Sequence, residues 1–144
     1  MPVFVDTNVL VYARDASERD KQRRASAWMA HLWRTASGRL SVQVLQEYYV
    51  TVTRKLQPGL PKKDARADVQ DLLAWKPLPI GEGMVRAAWS IEDDFAVSFW
   101  DALVVSAASM AGCDHLLTED LQDGMRLGRV TVANPFRVEA GALP

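Results

Sequence analysis

The chain has 144 residues, of which 49% are hydrophobic and 24% are charged, and its formal net charge is −1. This composition is typical of one globular domain over residues 1–144 and excludes a disordered chain. The near-neutral charge excludes bulk attraction to nucleic acid, and the single cysteine excludes both an intrachain disulfide and a cysteine metal cluster.

Five short apolar runs along the chain predict strands. They cover residues 3–5, 40–42, 78–80, 115–118 and 129–132. Pro77 and Pro79 bracket the third run, which places it at a sheet edge because proline cannot donate a ladder hydrogen bond. No run is long enough to cross a bilayer, and Asp6 interrupts the first one after five residues. We therefore expect a cytoplasmic protein without a signal peptide.

Apolar residues recur at helical spacing between these strands. The pattern predicts helices over residues 17–35, 43–56, 64–75, 83–95 and 99–111. The last of them is apolar or small almost all round, which indicates a buried helix, and Gly112 is placed to end it. Alternating strands and helices predict a three-layer α/β/α domain with a mainly parallel sheet. The tail over residues 133–144 is expected to fray.

Two acids stand where a parallel sheet places its ligands, outside the carboxyl ends of the strands, because Asp6 and Asp120 each follow a buried strand. A third acid, Asp101, opens the buried helix that runs into one of those strands. Each also has a purely structural interpretation. Asp6 suits the N-cap of a helix starting near Val9, Asp101 completes a capping-box pattern, and Asp120 suits the first turn of a short helix capped by Thr118.

Carboxylates gathered at one sheet edge cannot all stay ionised unless a cation compensates them. The two histidines, His31 and His115, are too few and too far apart in sequence for a zinc site. All-oxygen ligation therefore favours Mg²⁺ or Mn²⁺. Such ions activate water and bind phosphoryl oxygens, which makes phosphodiester hydrolysis the expected chemistry. Periodicity alone places Glu47 on a solvated helix face, away from this group.

Four segments together resemble the acidic motifs of the PIN-domain ribonucleases, in particular the VapC-type toxins of type II toxin–antitoxin systems. The segments are "VFVDTNVLVYA", "SVQVLQEYYVTVTRKL", "FWDALVVSAA" and "HLLTEDLQ", which occur in the family's order and span nearly the whole chain. The resemblance implies a PIN-like fold with a five-stranded sheet ordered 3-2-1-4-5. It also implies metal-dependent RNA cleavage that leaves a 3′-hydroxyl and a 5′-phosphate, a homodimer, and inhibition by a cognate antitoxin.

The resemblance also assigns roles to individual residues. It implies that the catalytic and metal-binding acids are Asp6, Glu47, Asp101 and Asp120. It implies further that neighbouring polar groups orient these carboxylates or water, namely Thr7, Asn8 and Thr118. Asp123 lies close enough in sequence to compete with Asp120 for the fourth acidic position.

Three other functions are compatible with parts of this pattern. A haloacid dehalogenase-type phosphatase also carries an aspartate after its first strand, but it needs a second acid two residues later, where this chain has Asn8. In a non-catalytic α/β binding module the acids are only helix caps. A housekeeping PIN ribonuclease without an antitoxin shares the same acids.

Basic and aromatic residues near these motifs have ordinary interpretations. One basic run contains Arg19, Lys21, Arg23 and Arg24, and a second contains Arg54, Lys55, Lys62 and Lys63. Both runs are expected to be solvated surface charge, with binding of RNA phosphates as the alternative. Trp100 precedes Asp101, and core packing is favoured for it over a place in the cleft.

Overall fold

The computed structural model of the chain describes residues 1–143 and contains one five-stranded sheet in the order β2-β1-β3-β5-β4. The strands are β1 Val3–Val5, β2 Gly38–Arg39, β3 His115–Leu117, β4 Arg126–Leu127 and β5 Val130–Ala133. Three of the four pairings are parallel and only β4 with β5 is antiparallel. The predicted α/β fold with a mainly parallel sheet is confirmed.

Six α-helices surround this sheet within residues 1–143. They are α1 Thr7–Tyr12, α2 Arg19–Thr35, α3 Val42–Val50, α4 Lys62–Leu72, α5 Glu82–Phe95 and α6 Phe99–Met110. A π-helical turn continues α3, and a 3₁₀ turn continues α4. Gly112 ends α6 as predicted, with a φ of +75° and an N–H that donates to Ser109. Over residues 1–143, no helix is both long and apolar enough to cross a membrane.

The edge of the sheet differs from the prediction. The predicted second strand, 40–42, is replaced by β2 two residues earlier, because the Ser41 side chain accepts the Val44 N–H and caps α3. The predicted third strand, 78–80, is reduced to one parallel bridge between Leu78 and Ser41. The flanking prolines explain this reduction, since neither can donate to a ladder. Even so, this segment lies on the outer side of β2, consistent with the implied 3-2-1-4-5 arrangement.

The C-terminal end of the sheet also departs from the prediction. The last strand, β5, begins at Val130 and not at Arg129, and it forms a hairpin with β4, which the sequence pattern did not indicate. Gly128 turns the hairpin with a φ of +64°, a conformation that favours glycine. Two-residue β4 is too short to produce a detectable alternation of apolar and polar residues.

The expectation of a frayed tail is wrong for the residues that the structure describes; Pro144 lies outside them. The Trp28 indole N–H donates to the Val138 carbonyl at 2.9 Å. Phe136 packs edge-on against Tyr12, with ring centroids 5.2 Å apart. The tail thus folds back over α1 and α2 and completes the packing of that side of the domain.

The central strands are buried on both faces. Every side chain of β1 and β3 is at most 8% exposed, and successive strand side chains point to opposite faces, so both faces are covered. The α6 segment from Ala102 to Ala108 is likewise buried, as its apolar sequence predicts. A rigid, covered sheet of this kind fixes the loops that leave its strand ends.

Candidate active site

The candidate site lies where β1 and β3 end side by side. Asp6 follows β1, and its N–H donates to the Leu117 carbonyl of β3 at 3.1 Å. Thr118 follows β3, and its side chain is fully buried, while Asp6 is 6% exposed. Parallel pairing of the two strands therefore brings Asp6 next to a residue 112 positions further along the chain.

Asp6 serves as a helix cap and as the centre of a polar network. Its Oδ1 accepts the Thr7 N–H at 2.7 Å, which caps α1. Its Oδ2 accepts the Thr118 hydroxyl at 2.8 Å and lies 3.4 Å from the Asn8 amide nitrogen. The capping interpretation is correct but incomplete, because only one of the two oxygens serves the cap.

Asn8 connects α1 with the loop that follows β3. Its amide nitrogen lies 2.9 Å from the Thr118 hydroxyl and 3.2 Å from Asp120 Oδ2. Its oxygen accepts the Glu119 N–H at 3.3 Å. The Asp120 N–H donates to the Thr118 hydroxyl at 3.1 Å, so this loop is a polar turn and not the short helix considered from the sequence.

Glu47 is exposed, as its helical position predicted, and it also joins the same network. The Thr7 hydroxyl donates to Glu47 Oε2 at 3.0 Å. The Gln43 amide donates to Glu47 Oε1 at 2.9 Å. Gln43 was not identified from the sequence, yet it is 9% exposed and holds a site carboxylate. Its signal was the four-residue spacing from Glu47 on one helix, which places the two side chains together.

Asp101 enters from the first turn of α6. Its N–H donates to the Ser98 hydroxyl at 3.1 Å, as the capping interpretation predicted. Its carboxylate lies close enough to Asp120 for its charge to raise the pKa of that group. Trp100 is 63% exposed beside it, so the prediction that this ring packs in the core is wrong.

Asp123 lies apart from this network. Its Oδ1 accepts the Asn134 N–H at 2.8 Å and so ties the loop after β3 to the end of β5. Asp120, by contrast, contacts Asn8 and is influenced by the charges of Asp101 and Glu47. Of the two acids considered for the fourth position, the structure brings only Asp120 together with the other three.

The carboxylate of Asp6 is buried without a counter-charge. Burial raises the pKa of Asp6 to about 6, against the lowering effect of the hydrogen bonds from Thr118 and Thr7, and the charges of Asp120 and Glu47 add to the increase. Burial thus shifts the equilibrium of this carboxyl group toward its neutral form, and a nearby cation would shift it back toward the charged form.

The pKa of Asp120 is raised for similar reasons. Burial is the largest cause, the hydrogen bond from Asn8 opposes it, and the charges of Asp101, Glu119 and Glu47 raise the pKa further. Repulsion from neighbouring carboxylates therefore helps to raise the pKa of both Asp6 and Asp120.

The donor set suits a hard divalent cation. In residues 1–143, the five ion pairs include none of the four acids, and the carboxylates of Asp6, Glu47 and Asp120 accept hydrogen bonds only from neutral groups. No three acidic, histidine or cysteine side chains in this part of the chain converge on one point tightly enough to hold an ion as they stand. The four side chains still offer only carboxylate oxygens, which are the ligand type that Mg²⁺ and Mn²⁺ prefer.

Solved structures with the same fold come from toxin–antitoxin proteins. A toxin–antitoxin complex from Klebsiella pneumoniae matches with a TM-score of 0.59 and 16% identity, over 94% of this chain and 98% of that one. VapBC2 from Rickettsia felis, bound to a DNA fragment from its promoter, matches with a TM-score of 0.61 and 15% identity, over 93% and 98%. Mycobacterium tuberculosis VapC20, described as a Sarcin-Ricin loop cleaving toxin, matches with a TM-score of 0.57 and 17% identity, over 79% and 86%.

These structural likenesses establish a shared fold. No curated protein matches the sequence significantly. The family model of the PIN domain matches residues 3–122, which include the four acids and most of the chain. The family expected from the four motifs is therefore confirmed, and the chain belongs to the PIN domain family.

Proposed function

We propose that this protein is a metal-dependent endoribonuclease and the toxin of a VapBC-type toxin–antitoxin pair. One observation carries the proposal: Asp6, Glu47, Asp101 and Asp120 come from four separate segments and lie near one another, linked by hydrogen bonds from neutral side chains or by the effect of one charge on the pKa of another acid. A structural protein has no need to gather uncompensated carboxylates, because each adds repulsion and desolvation cost. A metal nuclease needs that arrangement.

In this proposal the four acids hold Mg²⁺ or Mn²⁺. The ion lowers the pKa of a bound water and binds phosphoryl oxygens when present. The protein's own part is to fix the carboxylates. Thr118 and Asn8 orient Asp6 and Asp120, while Thr7 and Gln43 orient Glu47. Such outer hydrogen bonds commonly determine how well a ligand set binds its metal.

The expected substrate is RNA, cut to leave a 3′-hydroxyl and a 5′-phosphate. The proposal rests on the PIN family match together with the toxins among the solved structures of the same fold. The description of VapC20 as cleaving the Sarcin-Ricin loop makes a structured ribosomal RNA loop the first substrate to test. Exposed Trp100 beside Asp101 offers a ring on which an unpaired base can stack.

The direct test compares wild type with Asp6→Asn on a labelled RNA panel, with Mn²⁺, Mg²⁺ or EDTA. Wild type is expected to cut only with the metal, and Asp6→Asn is expected to lose cleavage while it stays folded by circular dichroism. Asp94→Asn removes an exposed carboxylate on α5 and serves as the matched control. A binding module is indicated instead if wild type cuts no RNA, and equal cleavage by Asp6→Asn and wild type would overturn the proposed role of Asp6.

The proposed partners are a cognate antitoxin and a second copy of the chain. The antitoxin follows from the toxin–antitoxin complexes among the neighbours. Co-expression with the product of an adjacent small gene should relieve growth inhibition, whereas a housekeeping PIN ribonuclease would have no such gene. The homodimer is supported by exposed apolar side chains on α3 and just after α4, namely Val42, Val50 and Leu73. Light scattering measures its mass.

A further inference from the structure

We propose that Lys21 and Glu119 are a positioning pair that holds the loop carrying Asp120 in its metal-binding arrangement. The inference rests on the proposed function of the carboxylate site. Lys21 belongs to the basic run that was expected to be solvated, but it is partly buried against the loop after β3. It contacts none of the four acids directly and acts through Glu119.

Lys21 is held by contacts with three side chains. Its Nζ donates to Glu119 Oε2 at 2.9 Å and to the Tyr12 hydroxyl at 3.3 Å. The same ammonium group lies 4.6 Å from the centroid of the Tyr12 ring and 5.2 Å from that of Phe136. Aromatic faces attract a cation, so the lysine is confined by α1, by the tail and by the loop at once.

Glu119 is held at both ends. Lys21 binds its carboxylate, and Asn8 accepts its backbone N–H at 3.3 Å. Its neighbours in sequence are Thr118, which donates to Asp6, and Asp120 itself. Because adjacent Cα atoms are about 3.8 Å apart, fixing Glu119 restricts the backbone that places both site residues.

This pair differs from the ordinary ion pairs on the surface. The side chains of Lys21 and Glu119 are 36% and 22% exposed, whereas those of Arg86 and Glu82 are 67% and 77% exposed. Exposed pairs typically contribute little. The pair of Lys21 and Glu119 is mostly shielded from water, and the rings of Tyr12 and Phe136 and the side chain of Asn8 restrain it further. Such a pair can hold a loop in one position.

A purely electrostatic role for Lys21 predicts a different outcome from a positioning role. If only charge matters, removing the lysine makes the pocket more negative and strengthens binding of Mn²⁺, while removing the Glu119 charge weakens it. If position matters, both changes weaken binding. The two residues then also act as a unit, so the double variant is no worse than the worse single variant.

The experiment measures Mn²⁺ binding by calorimetry in full-length Lys21→Met, Glu119→Gln and the double variant. We expect each single variant to bind Mn²⁺ roughly 3- to 10-fold more weakly, at or below the low end of effects of groups that orient metal ligands, and the double variant to match them. Lys21→Arg keeps charge and donors and should recover most of the affinity. In the metal-free protein, the Asp120 amide should exchange faster in Lys21→Met.

Arg86→Met is the matched control, because it breaks a surface pair on α5 and should change neither measurement. Stronger Mn²⁺ binding by Lys21→Met, unchanged binding and exchange, or additive losses in the double variant would overturn the positioning role. In those cases wild-type RNA cleavage and its loss in Asp6→Asn would stand. A wild-type protein that binds no Mn²⁺ would overturn both proposals.

Discussion

Asp6 is buried and Asp68 is partly buried, and the two carboxylates have opposite electrostatic surroundings. Asp68 on α4 receives a two-pronged ion pair from Arg14, with contacts of 2.6 and 2.9 Å, and a hydrogen bond from the Tyr48 hydroxyl. Although burial alone would raise the pKa of Asp68, these donors lower it below its usual value. Asp6 receives only neutral donors, and burial raises its pKa.

The difference separates a structural acid from a functional one. The Asp68 cluster joins α4 to the end of α1 and to α3, and it satisfies its own charge. The network around Asp6 gives its carboxylate three contacts from neutral donors but no positive charge. A folded protein keeps such an imbalance mainly where function requires it. In the proposed function, a divalent cation supplies the missing charge.

The largest effect on RNA cleavage is expected for Asp120, and Asp123 in the same loop gives the comparison. Asp120→Asn should reduce RNA cleavage at least ~100-fold, since losing a group that merely orients a metal ligand costs roughly 10- to 100-fold. Asp123→Asn should leave cleavage within about 3-fold of wild type, because its contact is to the Asn134 N–H and an amide oxygen can still accept that bond. Cleavage rates at saturating Mn²⁺ decide between them. The reverse order of effects would make Asp123 the fourth acid.

A smaller effect is expected at Gln43. Gln43→Leu keeps the volume in α3 but removes the amide that donates to Glu47, so we expect about 10-fold weaker Mn²⁺ activation. Gln46→Leu, one turn away on the same helix and exposed, is the control. Activation curves against Mn²⁺ concentration give the comparison. Equal behaviour of the two variants would mean that Thr7 alone suffices to orient Glu47.

How much of the fold and of the candidate site can be predicted from the sequence depends on how far apart in the chain the interacting residues lie. Strand ends, the buried helix and its glycine stop are local patterns, and they predicted the fold and the placement of Asp6, Asp101 and Asp120. Glu47 was recovered only through the family motifs. Its periodicity correctly predicted an exposed residue but gave no sign of the hydrogen bond from Thr7, forty residues away.

The contacts that the sequence could not predict are those between separate segments. Asn8 meets Thr118 and Asp120 only because β1 and β3 are neighbours in the sheet. Lys21 meets Glu119 only because α2 returns to that edge. Trp100 was misjudged because an aromatic residue at the start of an apolar helix gives no indication of which side faces solvent.

The smallest predicted effect is on the free energy of unfolding, where substitutions of Asp68 and Asp6 should behave differently. Asp68→Asn should lower the free energy of unfolding at pH 7 by about 1 kcal/mol, because charged hydrogen bonds are lost but Arg14 is half exposed. The folded pKa of Asp68 is depressed, so its stabilisation is present above the unfolded value, near 3.9, and is lost as pH falls through the folded pKa. The difference in free energy of unfolding between Asp68→Asn and wild type should therefore shrink at about pH 3.

Asp6→Asn should not lower the stability of the metal-free protein at pH 7. Asparagine caps helices as well as aspartate does, and the substitution removes a buried uncompensated charge. Urea denaturation in EDTA measures both variants, and a loss in Asp6→Asn equal to that in Asp68→Asn would mark Asp6 as a structural acid.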